Sequence, residues 1–110
     1  MAEAPPDPAA RDAMRASARD AHGRGNLADA IEIQRKVLAS GPAEMRDSMF
    51  LGLLLFAARD LAGGIAAMRE ALAAFPNEPA LHENLSVFLI AAGDYARAAE
   101  AARQSRKQAG

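Results

Sequence analysis

The sequence predicts an all-α fold built from three antiparallel helix pairs. Three observations carry this prediction: few aromatic residues, a constant repeat period, and turn residues that recur at the same place in each period. Of the 110 residues, 51% are hydrophobic but only 5% are aromatic, and there is no tryptophan. Much of the hydrophobic share is alanine, which favours closely packed helices over a β-sheet rich in bulky side chains.

A turn segment repeats along the chain at a constant spacing. It begins at Gly25, at Arg59 and at Gly93, so the two intervals between its starts are equal. Pro42 and Pro76 are separated by the same distance. A period of this length, about 34 residues, is typical of a stack of supersecondary units, each of which buries its apolar face against the next unit.

Each repeated segment carries the signals of a helix end followed by a helix start. Gly25 suits the left-handed conformation that closes a helix. The next residue, which is Asn26, Asp60 or Asp94 in the three periods, can cap the helix that follows. Apolar residues then recur every three or four positions, as in an amphipathic helix. These signals predict six helices, at residues 9–22, 27–40, 44–57, 61–74, 78–92 and 95–108.

These residues resemble the tetratricopeptide repeat (TPR) family, whose unit is an antiparallel helix pair of about 34 residues that closes on a proline. The resemblance implies a right-handed α-solenoid of three antiparallel helix pairs. It covers essentially everything after a predicted disordered N-terminal tail at residues 1–10. The three repeats are expected at about residues 11–44, 45–78 and 79–110.

The resemblance also implies small residues where the helices of a pair cross. The small pairs are Ala18 with Ala30, Gly52 with Gly64, and Ser86 with Ala98. A solenoid further needs polar ends, because each repeat buries its faces only against its neighbours. The charged residues of the first helix, among them Arg11 and Arg15, are therefore expected to face solvent.

Composition and missing motifs argue against several functions. Thirteen basic and fourteen acidic residues give a formal net charge of -1, so no global field attracts nucleic acid or an anionic membrane. Without cysteine there is no thiol nucleophile and no cysteine-based zinc site. The two histidines, His22 and His82, lack a metal-binding spacing. We therefore expect a non-enzymatic protein without cofactor or metal.

Targeting signals are not evident in the sequence. The first ten residues have neither a basic segment nor an apolar one, unlike a signal peptide. The longest apolar stretch, residues 49–58, is half of the roughly 20 residues that a membrane span needs. We expect a cytoplasmic protein, and the richness in alanine and arginine is typical of a high-GC bacterial source.

In the TPR family the first helices of the repeats line a concave groove that binds partners. Carried onto this chain, the groove is basic in its first third and apolar in the remainder. The third predicted helix is hydrophobic on every side over residues 49–58, so it is either buried by its neighbours or offers a docking face. The predicted partner-binding residues are Arg15, Arg19, Met49, Phe50, Leu53, Phe56, Asn84, Val87 and Ile90.

The sequence thus predicts a protein-interaction module that binds a peptide or an amphipathic helix with an acidic flank, which Arg15 and Arg19 would attract. A clamp for a C-terminal carboxylate, known in chaperone-binding members, is not predicted. Of its five positions, which hold Arg15, Arg19, Phe50, Ala80 and Asn84, only Arg15 keeps the clamp's charge. Two alternatives stay open: the N-terminal adaptor of a larger bacterial enzyme, such as a protein glycosyltransferase or sulfotransferase, and a homodimerising structural module.

Overall fold

The computed structural model describes residues 7–109. In this range six α-helices follow one another through short turns, and their ends differ from the predicted ends by at most one residue. The helices are α1 (Pro8–Gly23), α2 (Leu27–Ala39), α3 (Met45–Ala57), α4 (Leu61–Ala74), α5 (Pro79–Ala91) and α6 (Tyr95–Ala109). Among the described residues, no helix has both the length and the apolar character needed to cross a lipid bilayer.

The first helix begins inside the predicted tail. Residues 1–6 lie outside the described residues, but Pro8 already opens α1. The carboxylate of Asp7 caps the helix, because its Oδ1 accepts a hydrogen bond from the backbone N–H of Ala10 at 2.8 Å. Proline is well tolerated next to such a cap, where its missing N–H is not needed. The Asp7-Pro8 pair is therefore a helix start, and the predicted tail is too long by three residues.

The same turn joins the two helices of every pair. Its left-handed residue has a φ of 77° at Gly25, 65° at Arg59 and 81° at Gly93. The backbone N–H of the following residue donates to a carbonyl five residues earlier, at 2.9 Å in each turn. A left-handed backbone costs a residue with a Cβ on the order of 1 kcal/mol more than it costs glycine. The second turn therefore carries strain at Arg59 that the other two turns avoid.

The helices of each pair cross at the small residues expected from the sequence. The alanine pair of the first repeat is completely buried. In the second repeat, a Cβ added to Gly64 would lie 3.4 Å from the backbone carbonyl oxygen of Gly52, so the two backbones approach closely. In the third, the hydroxyl of Ser86 donates to the carbonyl of Ala98 at 2.9 Å and is satisfied within the crossing. The predicted pairs of the second and third repeats are confirmed by these contacts.

The second and third repeats share an apolar core. Phe56 of α3 stacks on Phe88 of α5, with ring centroids 4.5 Å apart and 8° between the ring planes. Phe88 is 1% exposed. The stack sits on the largest cluster of buried residues, which comprises Met68, Ala71, Leu81, Leu85, Phe88, Leu89, Ala98 and Ala101. These two repeats are therefore joined mainly by apolar and aromatic packing.

The first and second repeats are joined by buried charges as well as by an apolar cluster of Ala21, Ala30 and Leu54. Arg11 and Arg15 of α1 are each 7% exposed, and Asp47 of α3 is 4% exposed. Arg15 forms a bidentate salt bridge with Asp47, in which Nε lies 3.0 Å from Oδ1 and Nη2 lies 2.7 Å from Oδ2. Arg11 donates to the carbonyl of Pro42 at 2.8 Å. Glu44 accepts hydrogen bonds from both arginines and completes this buried ion network.

The prediction that Arg11 and Arg15 face solvent is wrong. Apart from these two arginines, the buried residues of α1 are alanines, which are too short to span the space to α3. The long arginine stems fill that space, and the carboxylates at the start of α3 supply the partners that buried charges require. The polar character of α1 thus serves an internal junction as well as an outer surface.

The buried ion network makes the fold sensitive to acid. Burial tends to raise the pKa of Asp47, but the hydrogen bond from Arg15 and the charges of Arg15, Arg11 and Arg46 outweigh it and lower that pKa. A lowered pKa stabilises the fold above the unfolded value of about 4, and this contribution is lost as pH falls through the folded value. We expect the free energy of unfolding, measured in urea at constant ionic strength, to hold from about pH 7 to 5 and to fall below about pH 4.

An Asp47→Asn variant separates this carboxylate from the others. It removes the buried titrating group, so its stability should depend less steeply on pH in the acid range. The exposed pair of Glu100 with Arg103 also lowers a carboxyl pKa, and it remains in both proteins. If the free energy of unfolding of the variant fell as steeply with acid as that of the wild type, the acid sensitivity could not be assigned to Asp47.

Candidate functional site

The first helices of the three repeats lie side by side. The ring of His22 on α1 meets Phe50 on α3 edge-on, with centroids 5.8 Å apart. The stack of Phe56 on Phe88 connects α3 to α5 in the same way. We name the surface that these helices share the first-helix face, with the residues Arg19, His22, Arg46, Phe50, Leu53, Phe56, Asn84, Val87 and Ile90. It contains every predicted partner-binding residue except Arg15 and Met49.

Three large apolar side chains are exposed on the first-helix face. Leu53 is 41% exposed, Val87 is 48% exposed and Ile90 is 52% exposed. Among the described residues, Tyr95 is the one other exposed large hydrophobic residue. Leu53 and Val87 hold the same position in successive repeats, one period apart, so they flank the junction of α3 with α5. We name these three residues the apolar patch, since clustered exposed apolar side chains are typical of an interaction surface.

The other predicted apolar residues contribute mainly to packing. Met49 and Phe56 are half-buried against the large core cluster. Phe50 is half-buried against a smaller cluster formed by Ala21, Ala30 and Leu54. The all-round hydrophobic character of α3 is thus largely explained by neighbours on both sides, and Leu53 is its one exposed large apolar residue among those described.

The exposure of Ile90 follows from its place in the stack. Ile90 corresponds to Phe56 one period earlier, and Phe56 is covered by Phe88 of the next first helix. Among the described residues α5 is the last first helix, so no equivalent ring covers Ile90. Asn84, one helical turn before Val87, is half-buried. The apolar part of the predicted site therefore centres on α5 rather than on α3.

The structure gives Arg15 a different role from the predicted one. Its guanidinium is held by Asp47 and Glu44 of α3 and by Asp12 of its own helix. Hydrogen bonding to Asp47 is the main reason why the pKa of Arg15 is raised above its ordinary value. A cation that is buried and fully paired has little capacity to attract an acidic partner, so Arg15 is an internal structural residue.

Two other arginines lie at the basic end of the first-helix face. Arg19 is exposed, and no carboxylate among the described residues lies within 4.0 Å of it. The side chain of Arg46 is 65% exposed, and its nearest carboxylate oxygen belongs to Glu44 at 3.9 Å. Both arginines line one depression between α1 and α3, together with Arg15, Gln34, Asp47 and Phe50. Arg46 was not among the predicted partner-binding residues, although its second position on the helix places it in the implied groove.

Comparison with known proteins places the fold. No family model and no curated protein matches the sequence. The structure is similar to PcrH in complex with the chaperone binding region of PopB, at 15% identity and a TM-score of 0.87, over 94% of this chain and 84% of that one. It is also similar to MamA from Desulfovibrio magneticus RS-1, at 25% identity and a TM-score of 0.80, over 87% of this chain and 54% of that one.

A third similar structure carries the repeat in its name. The TPR2AB domain of yeast Sti1, in a complex with pHSP90, has 18% identity and a TM-score of 0.84, over 93% of this chain and 40% of that one. The chain therefore spans about half or less of the MamA and Sti1 chains. The likeness in fold agrees with the constant repeat period, the repeated turn and the small crossing pairs. Residues 7–109 form a stack of three helix pairs with the tetratricopeptide repeat fold.

Proposed function

We propose that this protein is an interaction module that binds an amphipathic helix of a partner protein on its first-helix face. The observation that carries the proposal is the apolar patch, in which three large side chains stay exposed on one side of the stack. Apolar surface removed from water contributes roughly 25 cal/mol per Å², so a partner helix gains most by laying its apolar side on these residues.

A helical partner fits the chemistry of this surface better than an extended one. An extended peptide brings unpaired backbone N–H and C=O groups, which need hydrogen-bonding side chains on the receptor. Near the apolar patch, Asn84 is the one amide side chain on the first-helix face. In a helix the backbone N–H and C=O groups hydrogen-bond to one another, so a helical partner needs only apolar contacts and complementary charge from the receptor. The complexes of PcrH with a PopB region and of Sti1 with pHSP90 support protein ligands for this fold.

A displayed peptide library provides the test. Helical peptides of about 16 residues, which are roughly 24 Å long, would be selected on the wild-type protein and their affinity measured by calorimetry. The double variant Leu53→Ser, Ile90→Ser should bind the selected peptides at least tenfold more weakly, because two apolar contacts are lost. Leu53 is 41% exposed and Ile90 is 52% exposed, and neither belongs to a core cluster, so the fold should be little affected.

Tyr95→Ser is the matched control, because Tyr95 is 69% exposed but begins α6, away from the first helices. Its affinity for the peptides should stay within about twofold of the wild type. Equal affinity of the double variant and the wild type would refute the proposed surface. Selected peptides rich in proline would point to an extended ligand, and a dimer in sedimentation that the double variant disrupts would point to a second copy as the occupant.

A further inference from the structure

We propose that the depression between α1 and α3 binds a carboxylate of the partner helix, and that Arg19 and Arg46 are its ligands. This inference rests on the proposed function, since it assigns the partner's charge and its direction on the same face. In this assignment Arg46, which was not among the predicted partner-binding residues, takes the role predicted for Arg15, whose charge is paired within the protein.

Four arginines (Arg11, Arg15, Arg19 and Arg46) and three carboxylates (Asp12, Glu44 and Asp47) surround the depression, which leaves one cation in excess. Arg15 is matched by Asp47, and Glu44 is shared between Arg11 and Arg15. Arg46 reaches Glu44 only at 3.9 Å, beyond hydrogen-bond distance. Arg19 has no acidic group within 4.0 Å among the described residues. The rim of the depression therefore carries positive charge that its own surroundings do not neutralise.

The one carboxylate in the floor of the depression does not oppose an incoming anion. Both oxygens of Asp47 accept hydrogen bonds from Arg15, at 3.0 Å and 2.7 Å, and the residue is 4% exposed. Its charge is compensated within the protein before any ligand arrives. Guanidinium groups bind carboxylates through paired N–H donors, so two exposed arginines at one rim suit a single acidic side chain.

The position of the depression relative to the apolar patch sets a spacing in the partner. Arg19, Leu53 and Val87 hold the same position in three successive repeats. The depression lies between α1 and α3, whereas Leu53 and Val87 flank the junction of α3 with α5, one helix further along. Packed helices are about 10 Å apart, which corresponds to about seven residues of an α-helix that lies across them. The partner should therefore carry Asp or Glu about two turns from a large apolar residue.

A charge reversal tests the subsite directly. The peptide library would be selected in parallel on the wild type and on Arg19→Glu, Arg46→Glu. Wild-type selections should be enriched in Asp or Glu about seven residues from the apolar anchor, and the charge-reversed protein should select Lys or Arg there. The control is Arg69→Glu, Arg97→Glu, which makes the same change in net charge at exposed positions on α4 and α6 and should keep the acidic preference.

Affinities of one selected peptide complete the test. Replacing its acidic residue with Gln or Asn should weaken binding to the wild type about tenfold in dilute salt, and should change binding to Arg19→Gln, Arg46→Gln by less than about twofold. Equal losses on both proteins, or selected peptides without an acidic residue at this spacing, would overturn the subsite. If Leu53→Ser, Ile90→Ser still weakened binding in that case, the proposed function would stand without the carboxylate subsite. Absence of any selected peptide would refute both.

Discussion

Replacing Phe88 with alanine is expected to lower the free energy of unfolding by about 4 kcal/mol, the usual cost of removing a buried phenylalanine ring. Phe88 is 1% exposed, stacks on Phe56 and belongs to the largest core cluster. Its loss would leave a cavity at the junction between the second and third repeats, which is packed mainly by apolar and aromatic side chains. Urea denaturation followed by circular dichroism measures the change.

The neighbouring residue supplies the control for this substitution. Val87 is 48% exposed, so Val87→Ala should change stability by no more than about 0.5 kcal/mol while it weakens peptide binding. Similar stability losses in the two variants would contradict the assignment of Phe88 to the core and Val87 to the binding surface.

Asp47→Ala is expected to destabilise the protein by about 3 kcal/mol, the cost found when one partner of a buried ion pair is removed. The substitution leaves the guanidinium of Arg15 buried with fewer acceptors, and that of Arg11 loses a carboxylate 3.8 Å away. Thermal and urea denaturation measure the loss. Asp12→Ala is the control, because it removes a carboxylate whose side chain is 66% exposed. Its stability should therefore change little.

A double substitution distinguishes a lost charge balance from lost packing. Arg15→Met with Asp47→Leu removes both charges and keeps apolar volume, so it should recover most of the stability that Asp47→Ala loses. A double variant as unstable as Asp47→Ala would mean that the hydrogen bonds themselves, rather than the unpaired charge, hold the first two repeats together.

The helices and their crossings could be predicted because their signals are local or periodic. The caps at Asn26, Asp60 and Asp94 and the turn glycines lie within a few residues of the features that they determine. The constant period then aligned the small crossing pairs without knowledge of distant contacts. The same alignment places Arg59 where the other repeats have glycine, and the structure accordingly has a left-handed arginine there.

The buried ion network could not be predicted in the same way. Arg15 and Asp47 are 32 residues apart in sequence, and charged residues on a first helix usually face water. In retrospect the signal is the pairing of two arginines four residues apart on α1 with two carboxylates three residues apart at the start of α3. Only the packing of the two helices reveals that these groups meet.

The sequence could not separate the exposed residues of the predicted site from the packed ones. Exposure depends on what the next repeat covers, so residues that are equivalent in sequence differ in the structure. Phe56 is stacked, whereas Ile90 is open. For the same reason Arg15 could not be separated from Arg19 by sequence alone, although one is buried and the other exposed.

The two junctions of the stack differ in the chemistry of their contacts, and this difference affects the order in which the repeats unfold. In repeat proteins the stability is close to a sum over neighbouring units, so each junction acts as a separate coupling. Here the first junction contains a buried ion network beside its apolar cluster, whereas the second is packed mainly by apolar and aromatic side chains. Acid should therefore weaken the first junction more than the second, so we expect the first repeat to detach before the other two separate. A ligand that spans α1 to α5 would contact both sides of the first junction. Its binding would therefore be thermodynamically linked to the folding of the first repeat.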